Sequence, residues 1–484
     1  MKTLQADGSW NSGKKVNSPQ LMEGMTGIYW DESGNEVEVT VDNQDNWYDY
    51  SKQEWANAVT KDSNGNVTGY WVWIPRYAYK IETNRYTNTV GKISVKFLQG
   101  TTNKDESNAE ISTTYPETTG ATMSAFVVHP SFINGTSNHY MNGEWDKEIS
   151  GYWVAKYPAG FQANTITNNN GTLSTTISNS SDTVVYSNKN YTSYHANMTT
   201  NALSQNLTSS GYASQKLSYP VFKPLTYAYN NISTGDAYTI SKEIASASSF
   251  YGLNSTKTDS HQMKNSEWGA VAYLTQSSYG RNGTEISLNN YYTTESSPWR
   301  TAITGMCTNG TSGSKSTTLG NAYNTTVGVK GSSTANVTGI YDLNGCVWER
   351  TAAYISNGNA SLSSYGQSYA NTTANANGYQ TLSTKWATVY PYNSSDSNTN
   401  NYSIYSGKKS TIYGFGDAVL ETSTTGSGST SWNGDFSCFP NTSRPFFIRG
   451  GYYSDTSYAG LFVFNYYNGD PYFSYGFRSV LVIK

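Results

Sequence analysis

The stretch that decides how this chain is interpreted runs from Phe446 to Lys484 and reads "FFIRGGYYSDTSYAGLFVFNYYNGDPYFSYGFRSVLVIK". Between Gly451 and Gly476 lie 24 residues, of which seven are tyrosine and none is Lys, Glu, Gln, Met or Trp. Tyrosine offers a large amphipathic contact area with few rotatable bonds, while Ser, Asn, Asp and Gly adapt their hydrogen bonds to a partner. The composition therefore predicts a binding surface between two fixed ends. The alternative is an aromatic-rich sheet whose tyrosines pack internally.

The whole chain is polar and aromatic rather than charged. Only 13% of its 484 residues are charged and the formal net charge is −3, which argues against nucleic acid or an anionic membrane as a partner. The 42 Tyr and 13 Trp, in a background of Asn, Ser, Thr and Gly, favour short strands joined by many turns. Because disordered chains are poor in aromatic residues, the composition indicates a folded protein.

Export and membrane signals are weak in this sequence. No apolar run is long enough to cross a bilayer, so membrane insertion is not expected. The first ten residues, "MKTLQADGSW", lack the apolar core of a signal peptide. Either an export signal has been removed from the sequence, or the protein leaves the cell by lysis, as phage structural proteins do.

Hydrophobic periodicity divides the chain into two predicted domains. Residues 1–68 contain two alternating strand patterns and are predicted to form a small β-rich module that attaches the protein to a larger assembly. Residues 69–484 are predicted to form one α+β domain rich in strands and loops. Its two main helices are expected within Thr234–Leu253 and Met263–Ser277, where apolar residues recur at helical spacing.

Two details of this domain follow from local sequence. Ser266 or Asn265 is the predicted N-cap of the second helix. The stretches near residues 161–215, 281–336 and 355–432 are rich in Ser, Thr, Asn and Gly, and they are predicted to be long inserted loops because strand-like segments resume after each.

Four segments in order carry a family resemblance. They are "GYWVAKYPAG" (Gly151–Gly160), "NSEWGAVAYL" (Asn265–Leu274), "GIYDLNGCVWERT" (Gly339–Thr351) and "RGGYY…GFRSVLV" (Arg449–Val482). Together they resemble the formylglycine-generating-enzyme type of C-type lectin fold, over roughly residues 69–484. The resemblance implies a C-type lectin-like domain with long insertions.

The last segment resembles, more specifically, the variable region of proteins diversified by diversity-generating retroelements, from about residue 446 to 478. In that family a reverse transcriptase copies a template with errors at adenines, so that AAY codons become many amino acids but never Lys, Glu, Gln, Met, Trp or a stop. All five of those residue types are missing between Gly451 and Gly476. The N-terminal half is similar to variable proteins of phages and prophages of gut Firmicutes.

This resemblance implies a ligand-binding face made of variable positions. Those positions are Ile448, Tyr452, Ser454, Asp455, Thr456, Tyr458, Leu461, Val463, Asn465, Tyr466, Tyr467, Asn468, Asp470, Tyr472, Ser474 and Tyr475. The alternating Phe462, Phe464 and Phe477 are predicted to point into the core. Arg449 and Arg478 frame the segment and are expected to hold it through buried pairs rather than to contact a ligand.

The turn "YDLNGCVWER" is a candidate calcium site. Calcium prefers hard oxygen ligands in flexible geometry. The resembling enzymes carry a Ca²⁺ ion at this turn, and the matching positions are Asp342, Gly345, Val347 and Glu349. The alternative is a plain turn in which Asp342 caps and Glu349 pairs with an arginine such as Arg350 or Arg478. No cofactor is otherwise expected.

An enzymatic role is not expected. The resembling oxidases bind copper through two cysteines located between the RGG and GFR landmarks, and soft thiolates suit Cu(I). The corresponding interval here, Tyr452 to Tyr475, contains no cysteine. The four histidines show no metal-ligand spacing, and no glycine-rich phosphate loop follows a strand.

The sequence therefore predicts a displayed binding protein. The leading hypothesis is a phage or prophage tail-tip protein that recognises a protein or glycan receptor on a bacterial surface, with further copies of itself as partners in the tail. The main alternative is a bacterial cell-surface adhesin with the same domain, and a third is a structural decoration protein that is not diversified. The expected location is the virion or the bacterial surface.

Overall fold

The computed structural model describes residues 16–116, 120–134, 143, 145–160, 219–230, 232–292, 302–318, 320–366, 369–370, 385–392, 397–407 and 415–484, and the backbone of four strands between 163 and 190. The helices in these residues are α1 Thr234–Glu243, α2 Ser248–Tyr251, α3 Asn265–Gln276, α4 Ala360–Gly366 and α5 Asn398–Gly407. The strands are β1 Met25–Trp30, β2 Glu36–Glu38, β3 Asn57–Lys61, β4 Val67–Pro75, β5 Tyr77–Ile81, β6 Ile93–Phe97, β7 Val127–Val128, β8 Gly151–Ala155, β9 Ala163–Thr167, β10 Leu173–Ser174, β11 Thr183–Tyr186, β12 Lys189–Asn190, β13 Thr258–Gln262, β14 Met306–Cys307, β15 Asn321–Ala322, β16 Trp348–Ile355, β17 Thr388–Tyr390, β18 Ser427–Gly428, β19 Ser437–Cys438, β20 Phe446–Gly450, β21 Gly460–Tyr467, β22 Tyr475–Phe477 and β23 Ser479–Ile483. The described fold is α+β and strand-rich, as predicted.

The first large sheet has seven strands in the order β13-β23-β8-β4-β3-β1-β2. Its central strand β4 is almost entirely apolar and pairs antiparallel with β8 on one edge and β3 on the other. Such continuous apolar strands are typical of sheets that are covered on both faces. Trp71 and Trp73 of β4 are accordingly buried.

The structure corrects the predicted boundary at residue 68, which falls inside β4. β1, β2 and β3 extend the same sheet instead of forming a separate module. Trp55, just before β3, is fully buried, and its indole N–H donates to the carbonyl of Tyr279 at 2.7 Å. Residues 16–68 therefore share one core with the rest of the described fold.

The second large sheet has the path β17-β16-β20-β21-β19-β18, with β22 beside the first residues of β16. The C-terminal segment, defined as residues 446–478, supplies β20, β21 and β22 to this sheet. β23 follows at once and inserts between β13 and β8 of the first sheet. Residues 446–484 thus contribute strands to both sheets.

Both predicted helices are present. α1 begins after Ser233, whose hydroxyl accepts a hydrogen bond from the amide of Asp236 at 3.1 Å. α3 begins at Asn265, so the predicted cap at Asn265 or Ser266 is wrong by one or two positions. Lys264 is the cap, because the Glu267 carboxylate reaches back to accept its backbone N–H at 2.8 Å.

Two further helices lie in a stretch that was predicted to be loop. α4 and α5 are built largely from Ser, Asn and Tyr, whose intrinsic helix propensity is low. They are held by tertiary contacts instead, since Leu362 of α4 and Tyr405 of α5 are fully buried. The predicted loop near 161–215 lies outside the described residues apart from its four strands.

Candidate ligand-binding site

The C-terminal segment is fixed at its beginning by a glycine pair and a buried arginine. Gly450 and Gly451 both have a φ of 80°, a left-handed conformation that favours glycine. The Arg449 guanidinium is fully buried and donates to the carbonyls of Val463, Asp417 and Ala418 at 2.6 to 3.0 Å. These bonds join β20 to β21 and to the loop that follows α5.

Arg478 fixes the other end of the segment. Its guanidinium forms a two-pronged pair with Glu349 at 2.6 and 2.8 Å, and it also donates to the carbonyls of Ala155 and Tyr341. Burial raises the pKa of the Glu349 carboxyl, and the charge and hydrogen bonds of Arg478 oppose that shift. The expectation that these two arginines are buried and structural is therefore confirmed, although Arg449 is satisfied by carbonyl groups alone.

Between these two ends, β21 alternates as predicted. Phe462 and Phe464 are fully buried and pack in the hydrophobic core beneath the sheet. Val463 points to the opposite, outer face, where it packs with Trp348, Ile448 and Tyr467. Tyr452 and Tyr475 pack against this cluster. Tyrosines of the segment itself therefore cover part of the outer face.

Solvent exposure separates the sixteen predicted ligand-facing residues into three groups. Tyr458 and Tyr472 are 52% and 46% exposed. A larger set is partly exposed: Tyr452, Ser454, Asp455, Thr456, Asn465, Tyr466, Asn468, Asp470 and Tyr475. The other five are buried: Ile448, Leu461, Val463, Tyr467 and Ser474.

The prediction that those five offer their side chains to solvent is therefore wrong for this structure. Leu461 packs in the main hydrophobic core. For the other four, the physical reason is that residues 468–475 fold back across the outer face of the sheet. Tyr467 is only 9% exposed and its hydroxyl hydrogen-bonds the carbonyl of Asp470 at 2.7 Å. Ser474 is held in the same turn, where its carbonyl accepts the amide of Trp348 at 2.9 Å.

The exposed part of the segment surrounds one groove with a volume of about 440 Å³. Seven of its nine lining residues are among the predicted sixteen. The lining residues are Phe436, Arg444, Asn465, Tyr466, Tyr467, Asn468, Asp470, Tyr472 and Tyr475. Small-molecule sites typically have volumes of this order and combine aromatic walls with a few polar groups.

Aromatic rings organise this groove. The rings of Tyr467 and Tyr475 lie 4.1 Å apart between centroids, and those of Tyr472 and Tyr475 lie 5.4 Å apart. At the opposite side, the guanidinium of Arg444 lies 4.7 Å above the ring of Tyr466. The groove therefore has tyrosine rings, two asparagine amides, one exposed cation and one carboxylate.

Sequence reasoning missed four residues of this region: Phe436, Arg444, Trp348 and Arg350. Arg444 stands two positions before β20, and a charged residue so close to the predicted face was a usable signal. Trp348 and Arg350 are two positions apart on β16, a spacing that places both side chains on one face of the sheet. The sequence near β16 does not show that this strand lies beside the C-terminal segment, because the order of strands in the sheet is set by contacts between distant parts of the chain.

The two carboxylates of the predicted calcium site have protein partners. Asp342 is buried, and its two carboxylate oxygens accept hydrogen bonds from the Asn289 amide at 2.8 Å and from the Gly305 backbone N–H at 2.7 Å. Burial raises the pKa of Asp342 to about 7. Both oxygens of Glu349 are engaged by Arg478. Calcium binding at this turn stays a prediction, and the pairing of Glu349 with Arg478 matches the alternative of a turn held by an ion pair.

Other reactive groups in the described residues are buried. All three cysteines are buried thiols, and burial raises the pKa of Cys307 to about 11. His261 is enclosed and its Nε2 lies 2.8 Å from the Glu267 carboxylate. Across the described ranges, no group of three or more His, Cys, Asp or Glu side chains is placed to hold a metal ion. The non-enzymatic role stays a prediction.

Comparison with known proteins adds no identification. No protein-family model matches the chain, and no curated protein sequence is significantly similar to it. In the part of the chain that the structure describes, none of the helices has the length and apolar character needed to span a bilayer.

Proposed function

We propose that this protein is a displayed binding protein with a C-type lectin-like domain, whose groove in the C-terminal segment recognises a receptor on a bacterial surface. A phage or prophage tail tip is the display site we favour. The observation that carries the proposal is the contrast between the two rigid ends of the segment and its partly exposed middle. Seven side chains predicted to contact ligand from the sequence line a single groove.

The chemistry of this groove suits noncovalent recognition. Tyrosine and arginine are over-represented among residues that dominate binding energy. Tyr472 and Tyr466 offer ring faces and hydroxyl groups, and Asn465 and Asn468 offer amide donors and acceptors. Because Phe462 and Phe464 pack on the opposite face of the same strand, changes in the partly exposed groove residues, such as Asn465 and Tyr466, are expected to leave the core packing intact.

The proposal is tested by alanine substitution of two solvent-accessible tyrosines that line the groove. Tyr466→Ala and Tyr472→Ala are expected to reduce binding of the purified protein to host cells at least tenfold, which corresponds to about 1.4 kcal/mol, with no change in melting temperature. Val41→Ala serves as the matched control, since Val41 is 48% exposed and lies in the N-terminal segment. Unchanged cell binding by both tyrosine variants would refute the proposal.

Two further measurements separate the alternatives. Immunodetection in purified virions supports the tail-tip assignment, and detection only in the cell envelope supports the adhesin. Population sequencing tests diversification, which requires substitutions confined to residues 446–478 at adenine-derived codons. Variants spread evenly along the gene would favour the structural decoration protein.

A further inference from the structure

Arg350 is a buried cation whose donors are incompletely used. Its side chain is 0% exposed, and one nitrogen, Nη2, donates to the carbonyl of Asp470 at 2.6 Å. Its Nε and Nη1 have no hydrogen-bond partner among the described residues. Nor does any described carboxylate lie within ion-pair distance of it. Arg449 and Arg478, by contrast, use three and four hydrogen bonds respectively.

Unsatisfied buried donors are rare in native proteins, and each calls for an explanation. The position of Arg350 supplies one. In the second sheet Arg350 of β16 stands opposite Ile448 of β20, and Ile448 stands opposite Asn465 of β21. Asn465 lines the groove, so Arg350 belongs to the same row of the outer face and lies beneath the groove floor.

Tyrosine rings connect Arg350 to the groove. The Arg350 guanidinium lies 4.8 Å from the ring centroid of Tyr467 and 5.2 Å from that of Tyr475. Tyr475 in turn contacts Tyr472, which reaches solvent. A cation against an aromatic ring is attracted by the ring's quadrupole. The positive charge is therefore separated from the groove by a layer of rings and not by the protein core.

Positive charge exceeds negative charge around the groove. Arg444 lines its rim and Arg350 lies under its floor, while Asp470 is its one lining carboxylate. Asp455 also lies near Tyr475, and burial raises the pKa of Asp455 to about 7, so this carboxyl is only partly ionised at neutral pH. The electrostatic field in the groove thus favours an anionic group.

We infer that the groove binds an acidic glycan, that is, a sugar that carries a carboxylate or phosphate group. This inference rests on the proposed function and names the class of its ligand. Tyr472 and Tyr466 stack on the sugar ring, the amides of Asn465 and Asn468 bond its hydroxyls, and the acidic group lies toward Arg444 and the field of Arg350. A groove of about 440 Å³ suits one or two sugar rings, whereas a protein partner commonly needs about 800 Å² of contact per side.

The test compares acidic sugars with neutral counterparts on the full-length protein. The probes are trigalacturonate against its methyl ester, and sialyllactose against lactose, within an array of such matched pairs followed by calorimetry. At least one acid is expected to bind about tenfold more tightly than its neutral counterpart. An array on which no acidic sugar exceeds its neutral partner overturns the inference.

Charge-removing variants locate the effect. Arg444→Gln and Arg350→Gln are expected to reduce the acid-to-neutral ratio severalfold, whereas Lys104→Gln, which removes an exposed cation that lines no described cavity, leaves it unchanged. Arg350 is buried, so its variant counts only if its melting curve stays cooperative. Arg444 is exposed and decides the question if Arg350→Gln does not fold.

Two outcomes separate this inference from the proposed function. If Tyr472→Ala abolishes cell binding but Arg444→Gln leaves it intact, the groove is the receptor site and the acidic-ligand inference is wrong. If an acidic sugar binds equally to wild type, Tyr472→Ala and Arg444→Gln, and Lys330→Gln abolishes its binding, then the ligand occupies the separate cavity of about 940 Å³ around Lys330 and Arg281. That result also overturns the inference.

Discussion

The tyrosines of the C-terminal segment differ in what their rings do. Tyr472 has nearly half of its surface in solvent, so its ring is available to a partner. Tyr467 has 9%, packs against Trp348 and Ile448, and stacks on the guanidinium of Arg350. Two residues of one type, five positions apart in a tyrosine-rich stretch, therefore differ in that one ring is exposed and the other is packed.

Stability measurements should distinguish these two roles. Tyr467→Ala is expected to lower the free energy of unfolding by about 3 kcal/mol, because it removes a buried ring and leaves a cavity above Arg350. Tyr472→Ala, the matched exposed substitution, is expected to change it by less than about 0.5 kcal/mol. Chemical denaturation gives both values. Equal losses would mean that Tyr472 is also a core residue, which would remove it from the proposed binding face.

Calcium is expected to leave the stability of the protein unchanged. Both carboxylates of the candidate site already have protein partners, Asp342 with Asn289 and Gly305, and Glu349 with Arg478. A ligand that bound only the folded state would raise the melting temperature by mass action. Melting curves in millimolar calcium and in chelator should therefore coincide. A clear upward shift with calcium, lost in Glu349→Gln, would restore the metal site implied by the family resemblance.

At the level of elements, the sequence predicts which side chains of a strand point into the core. It does not predict which other residues pack over the strand's outer face. The spacing of Phe462 and Phe464 predicted which face of β21 enters the core, and the structure agrees. The same spacing assigned Val463 to the outer face but could not show that Tyr452 and Tyr475 would fold over it. Burial there depends on contacts between separate turns of the chain.

The N-terminal strands illustrate a second limit of sequence reasoning. The polar turn between β3 and β4 resembles a linker, yet it is an ordered turn in which the Asp62 carboxylate accepts the amides of Asn64 and Asn66 at 2.9 Å. Turn composition alone cannot distinguish a hairpin inside a sheet from a domain boundary. Sheet hydrogen bonds across the turn decide the matter.

A truncation tests whether β1, β2 and β3 are part of the main fold. A chain that begins at residue 69 is expected to lose cooperative unfolding, because it loses the buried Trp47 and Trp55 and exposes an edge of β4. Thermal melts by circular dichroism would show this against the full-length chain. A soluble fragment 69–484 that melts like the intact protein would support the separate module predicted from the sequence.

For the molecule as a whole, buried ionisable groups determine the response to pH. Burial raises the pKa of Asp342 and Asp455 to about 7 from the ordinary 3.8. The folded state then binds protons more tightly than the unfolded state between these values, so these groups favour folding at low pH. His261 acts in the same direction: burial lowers its pKa, but the charges and hydrogen bonds of Glu267 and Asp259 together raise it by more, and its stabilising charge is lost as the pH rises.

The free energy of unfolding should therefore decrease between about pH 5 and pH 8. Asp342→Asn removes one of the responsible carboxyls and is expected to make that decrease shallower. Asp42→Asn, at an exposed position, is the matched control and should leave the slope as in wild type. Urea denaturation at several pH values provides the measurement. A stability that rises through this interval would contradict the assignment of Asp342 as a carboxyl that is easily protonated.

The placement of β23 makes correct folding depend on complete translation of the C-terminal segment. β23 follows the C-terminal segment directly and occupies an interior position between β13 and β8, where Val480 and Leu481 are fully buried. A frameshift or early stop anywhere in the segment would delete β23 and leave β13 and β8 without the strand that joins them. Folding is thus expected to act as a length check on translation, because only polypeptides synthesised through the whole segment and β23 can complete the first sheet.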